Sequence, residues 1–347
     1  MRGPTLSHVV HGPETFDPTA GEAATVRFQL SESAVVRLHI YDGRDLNVRS
    51  LGSSSPLEPG ENGIVWDGRD FAGRVVPAEA YVYTLEATNP SGERSVWDPT
   101  DVTVGELRAV PDVSWDSDEG VIEYRLRRPS RVRLRIGLDD HGPMLRTLID
   151  WVPRGRGPQR EAWGGRDASG ILEIADRTPV KFNLESFALS KNTLLVGPAP
   201  DEVRLIGDLP ESAARRVRSH EPRKRMYDYP RQPIETRRDF SLRIDLPASL
   251  EKTAEGVPIV SGPVPVRISV DERDLARVVN QRAEAMFFVD GRYVFENEAG
   301  FLPMAWTWSP EVGLEGIHFI TANLVGYEGH VGTATVKVFV ARPGMSD

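Results

Sequence analysis

From Val35 to Ile40 the chain reads V-V-R-L-H-I, with Val36, Leu38 and Ile40 on one face and Arg37 and His39 on the other. A period of two, rich in β-branched residues, predicts a half-buried strand. The same alternation predicts strands over 25–30, 81–85, 132–136 and 333–340, and further apolar runs predict strands over 264–270, 285–289 and 318–324. Gly, Pro, Asp and Asn separate these segments at short intervals, which is the pattern of sandwiches. Helical periodicity is scarce: 271–284 predicts one or two turns and 210–218 another.

An internal repeat organises the first two-thirds of the chain. Residues 25–40 align without a gap on 121–136: Phe28 falls on Tyr124, Leu30 on Leu126, Val36 on Val132, Leu38 on Leu134 and Ile40 on Ile136. One residue later in register, Trp66-Asp67-Gly68-Arg69-Asp70-Phe71-Ala72-Gly73 falls on Trp163-Gly164-Gly165-Arg166-Asp167-Ala168-Ser169-Gly170. A strand pair followed at the same distance by the same turn predicts a tandem duplication. The expected organisation is all-β, with three immunoglobulin-like sandwiches in series: 1–105, 106–206 and 240–347. Residues 207–239, rich in Arg and Pro, read as a linker or docking strap between the second and third.

The stretch Trp66 to Pro77 followed by Tyr81-Val82-Tyr83 resembles the immunoglobulin-like module of the bacterial flagellar hook-capping protein. The family pattern is a tryptophan, an Asp-Gly turn, a second Gly turn, a proline and a closing Tyr-x-Tyr strand. The second unit keeps Trp163, Arg166, Asp167 and Gly170 but departs at Gly164 and lacks Tyr-x-Tyr, for which Val180–Leu184 is the expected replacement. Phe287-Phe288-Val289-Asp290-Gly291, Trp306-Thr307-Trp308 and Gly316 to Ala322 are similar to the bacterial immunoglobulin-like modules of adhesins and surface enzymes. These resemblances imply the fold; such modules serve as spacers, docking units and carbohydrate binders alike.

The motif chemistry is structural. Asp67-Gly68 suits a turn with positive φ, and Trp66 and Trp163 suit the space between two sheets. Trp306 and Trp308, two apart on a strand, share a face: inward they are core, outward they form an aromatic platform for a sugar or a protein. The weight of aromatics in cores favours inward. His8 and His11 fall in an N-terminal stretch expected to be mobile, His318 reads as a packed or edge residue, and His330 as an exposed turn residue. Asp116 to Gly120 lacks the ligand series of a calcium loop and reads as an acidic hairpin turn. Asp139-Asp140 and Asp271-Glu272 are isolated acidic pairs, whereas a glycosidase needs carboxylates opposed across a cleft. Nucleophile-elbow, phosphate-loop and zinc-protease motifs are missing, and the chain has no cysteine. The expectation is a protein with no catalytic residue, cofactor or metal site.

A net charge of −9 argues against nucleic acid as a partner. The basic stretch is the exception: Arg215, Arg216, Arg218, Arg223, Lys224, Arg225 and Arg231, with Tyr227 and Tyr229 interleaved. It reads as a solvated linker, or as a strap that docks on an acidic protein surface or on anionic lipid headgroups. No apolar run approaches the length of a membrane span. The leading expectation is therefore an extracytoplasmic scaffold or accessory subunit, at the periplasm or cell surface, that docks onto and braces a larger cell-envelope protein complex; no signal peptide is present in this numbering. The alternative is a carbohydrate- or cell-surface-binding protein, with Trp306 and Trp308 exposed.

Overall fold

A computed structural model describes residues 3–103, 107–138, 141–174, 180–197, 239–298 and 300–341. In chain order the first unit carries β1 (Leu6–Gly12), β2 (Thr15–Phe16), β3 (Ala24–Leu30), β4 (Val35–Tyr41), β5 (Asn47–Gly52), β6 (Gly60–Trp66), β7 (Ala80–Thr88) and β8 (Arg94–Trp97). After the short helix α1 (Thr100–Thr103) come β9 (Leu107–Ala109), β10 (Ser114–Asp116), β11 (Val121–Leu126), β12 (Ser130–Leu138), β13 (Met144–Arg154), β14 (Gly157–Ala162), β15 (Val180–Ala188) and β16 (Thr193–Val196). The third unit holds β17 (Arg243–Asp245), β18 (Ile259–Val260), β19 (Val264–Ser269), helix α2 (Glu272–Asn280), β20 (Glu284–Val289), β21 (Arg292–Asn297), β22 (Met304–Trp308), β23 (Gly316–Val325) and β24 (Val331–Val340).

The fold is all-β, built as immunoglobulin-like sandwiches in tandem. In each, a three-stranded sheet faces a larger one: β1-β3-β6 against β2-β16-β7-β4-β5, β10-β11-β14 against β13-β12-β15-β9, and β17-β19-β22 against β18-β24-β23-β20-β21. Alternation places Val26, Phe28 and Leu30 of β3 opposite Val36, Leu38 and Ile40 of β4 in one core. The second core repeats this with Ile122, Tyr124 and Leu126 against Val132, Leu134 and Ile136. Fully burying one such side chain contributes about 1.5–3 kcal/mol.

The duplicated corner keeps the same set of anchoring bonds, with the second loop one residue longer. Trp66 Nε1 donates to the Arg69 carbonyl at 3.0 Å, and Trp163 Nε1 to that of Arg166 at 2.9 Å. Val76 N–H donates to Gly68, and Ile174 N–H to Gly165. The Asp70 carboxylate accepts from the backbone of Ala72 and Arg74, and that of Asp167 from Ile171 and Leu172. Gly68 sits at φ 70° and Gly165 at φ 72°, so the glycine the corner needs is the third residue of each motif and Gly164 is a tolerated change. A Cβ on Gly68 would lie 2.2 Å from Pro18 Cγ. β15 pairs with β12 along its length, as β7 pairs with β4, so residues 180–188 supply the strand that lacks Tyr-x-Tyr.

One connection departs from a simple series. Thr193–Val196, beyond the second sandwich in sequence, form β16, which lies between β2 and β7 in the first. Leu194 and Val196 are buried in the first core. The third sandwich places its own last strand in the equivalent way, β24 pairing in parallel with β18. The second sandwich is thus inserted between β8 and the closing strand of the first.

Two expectations for histidines are corrected. The N-terminal stretch is not loose: β1 pairs with β3, and His11 Nδ1 lies 3.1 Å from the Tyr83 hydroxyl. His330 is buried rather than exposed, because its ring packs on Phe240 and its Nδ1 meets Gln281 Oε1 at 3.0 Å. His318 is a packed residue on β23, bonded to Asp290. Asp116 to Gly120 folds as a hairpin turn, Asp116 accepting from the N–H groups of Asp118 and Glu119. Helix α2 lies within the predicted segment, while residues 139–140 and 210–218 lie outside the described residues.

Candidate docking surface

β12 controls how the sandwiches meet. Its inward residues Val132, Leu134 and Ile136 build the second core, and the period of two turns Arg131, Arg133 and Arg135 to the opposite face. A half-buried strand would leave these guanidinium groups in water. All three are instead nearly sealed, because both neighbouring sandwiches close over that face.

Towards the first sandwich, Arg131 Nη1 lies 2.7 Å from Glu79 Oε1, with side-chain exposures of 3% and 1%. Glu79 Oε1 also accepts from the Ala80 N–H. Burial raises the pKa of Tyr81, and the Glu79 charge adds to the shift. Asp42, in the small pocket that Arg131 also lines, is raised by burial even though the N–H groups of Leu46 and Arg44 stabilise its charge. Asn192 ties the end of this junction, bonding the Tyr83 carbonyl and the Thr100 hydroxyl.

Towards the third sandwich, Arg133 pairs with Glu185 and stacks over the Trp151 ring at 4.8 Å. Arg133 and Arg135 both donate to the Gly329 carbonyl, at 3.2 and 2.7 Å. Arg135 also meets Asp239 Oδ1 at 2.9 Å, and Asp239 accepts from the Thr147 hydroxyl and the Val331 N–H. Asn323 bonds both the N–H and the carbonyl of Met144, and Thr335 N–H donates to Ser169 Oγ. The interface is polar and extensively hydrogen-bonded, which favours one geometry over sliding.

The basic cluster from Arg215 to Arg231, including Arg216, Arg218, Arg223, Lys224, Arg225, Tyr227 and Tyr229, lies outside the described residues. Its two flanks are placed. Gly197 N–H donates to Phe16 on the first sandwich, and Asp239 sits in the second junction.

Trp306 and Trp308 face inward. They pair across to Val266 and Val264 of β19, whose side chains are core. Trp308 is buried, and the half-buried Trp306 stacks on Phe295 at 5.7 Å and packs on Phe287 at 5.1 Å. The outward aromatic platform is not formed, since the register that pairs β22 with β19 assigns both indoles to the sandwich interior. Among the described residues no group of three His, Asp or Glu side chains is placed to hold a metal ion, and no helix is long and apolar enough to cross a membrane.

The sealed face of β12 was missed from the sequence. Its signal was present in Arg131-Val132-Arg133-Leu134-Arg135, three arginines in one row. Their partners are Glu79, Glu185 and Asp239, remote in sequence, and local alternation does not disclose them.

No family model matches the chain, and no curated protein matches it. Solved structures similar to it include the fibronectin(III)-like modules of Clostridium thermocellum CbhA, at 12% identity and a TM-score of 0.23, covering 99% of this chain and 97% of that one. FlgD from P. aeruginosa matches at 15% identity and a TM-score of 0.23, over 36% of this chain and 85% of that one. A 1.5-MDa bacterial ice-binding adhesin, solved in connection with its retention at the host cell surface, matches at 8% identity and a TM-score of 0.19, over 99% of both chains. Values this low assign no family, and the fold rests on the sheets themselves.

Proposed function

We propose that the chain is a non-catalytic, extracytoplasmic scaffold or accessory subunit that docks onto and braces a larger cell-envelope protein complex. The observation that carries this reading is the double closure over β12. Domains in one chain move relative to one another by default unless their interface prevents it. Here buried, bonded charges hold the middle sandwich to both neighbours: Arg131 to Glu79 on one side, Arg135 to Asp239 on the other. A body with such fixed joints suits spacing and bracing, where geometry between contact points is the function. The strap supports the same reading, since both its flanks are anchored and its basic residues suit an acidic partner surface.

The test is purification from native membranes in mild detergent, followed by native mass spectrometry. Co-purification in fixed stoichiometry with an envelope complex is the expected result. Recovery of the chain solely as a free monomer overturns the proposal.

A further inference from the structure

Six arginines of the second sandwich are matched by acids. Arg131, Arg133, Arg135, Arg154, Arg160 and Arg166 all pair with carboxylates. Arg125, Arg127 and Arg128 do not: they are exposed, and no described residue pairs with their guanidinium groups. They stand at the end of β11 and in the turn before β12, and together with Arg108 of β9 they line a groove of about 470 Å³. Among the described residues Asp112 is the sole acid of its wall, and Val110 and Leu126 give it apolar surface.

The groove also runs beside a free strand edge. Among the described residues β9 is the outermost strand of its sheet and pairs only with β15. Val110 N–H donates to the Leu184 carbonyl at 2.9 Å, so by alternation the backbone of Arg108 faces β15 while that of Leu107 and Ala109 faces away. All three β9 residues are exposed, and no described residue bonds the outward groups of Leu107 and Ala109. An edge of this kind accepts an added strand.

We propose that this groove docks an extended, acidic segment of a partner protein. The inference rests on the scaffold reading and names the chemistry by which the partner is recognised. The guanidinium groups of Arg125, Arg127 and Arg128 repel one another, and carboxylates relieve this while satisfying the planar donor forks. The strand edge supplies main-chain hydrogen bonds that sequence-independent charge attraction does not. The overall charge of −9 confines such docking to a short segment. A polynucleotide would extend beyond the groove onto surfaces that repel it.

The experiment uses the full chain and a fluorescein-labelled oligoglutamate, read by anisotropy. Binding is expected to weaken steeply with salt. It is expected to fall about tenfold or more in R125Q/R127Q/R128Q, with the melting temperature unchanged. Arg127→Glu alone is expected to weaken it measurably, and R223Q/K224Q/R225Q is expected to leave it intact. Equal binding by the triple variant overturns the proposal, as does loss in the strap variant instead. Complete displacement by inorganic phosphate makes the groove a small-anion site and also overturns it. So does three-arginine-dependent binding to phosphatidylcholine–phosphatidylglycerol vesicles without oligoglutamate binding. A triple variant that stays in its native complex removes this inference and leaves the scaffold reading standing. Oligoglutamate binding by a chain recovered only as a monomer does the reverse.

Discussion

Trp66 is sealed between Phe16 and Tyr81, ring centroids 5.6 and 5.4 Å away, and spends its one polar group on the Arg69 carbonyl. Truncation removes the core plug and the corner's anchor together. Trp66→Ala is expected to destabilise the first sandwich by about 3–5 kcal/mol, measured by guanidinium denaturation. His11 is a subtler case. Burial beside Tyr83 holds its pKa below the ordinary 6.5, so the folded chain takes up a proton there less readily than the unfolded chain. Its contribution is fully present above the unfolded value and is lost as pH falls through the lower folded one. The denaturation midpoint should therefore decline from about pH 7 towards about pH 5, and His11→Gln should make that decline shallower.

At the scale of elements, β12 carries both cores and junctions. Removing one member of a buried ion pair leaves the other charge stranded, whereas replacing both by apolar residues leaves none. Arg131→Met and Glu79→Met are each expected to cost about 3–5 kcal/mol, and the double variant much less than their sum. A double-mutant cycle by chemical denaturation checks this; additive losses would mean the two side chains act independently. This strand also marks what could be read in advance. Val132, Leu134 and Ile136 announced a core face, and the Trp66 and Trp163 corners announced a duplication, because both signals are local in sequence. The burial of Arg131 and Arg135 depends on Glu79 and Asp239, 52 and 104 residues away, and no short-range pattern encodes a face closed by another domain. Trp306 and Trp308 were ambiguous for the same reason: spacing shows that they share a face, and only pairing with β19 shows which one.

Across the whole molecule, Asp239 is the pin of the second junction, accepting from Arg135, Thr147 and Val331 at once. Asp239→Ala strands Arg135 and releases the start of the third sandwich. Small-angle scattering should show a larger radius of gyration, and limited proteolysis should cut more readily near residue 239. An unchanged envelope would mean the Asn323 and Thr335 contacts suffice.

The insertion of the second sandwich into the first bears on how the protein is made. A chain emerges from the ribosome N-terminus first, and domains generally fold in that order. Here the first sandwich lacks β16 until Val196 has been synthesised, although its other strands are complete by Trp97. The edge of β7 that β16 covers must wait while the inserted unit is translated. The nascent protein therefore closes its second module before its first, and it is then that Arg131 and Glu79 can be sealed together.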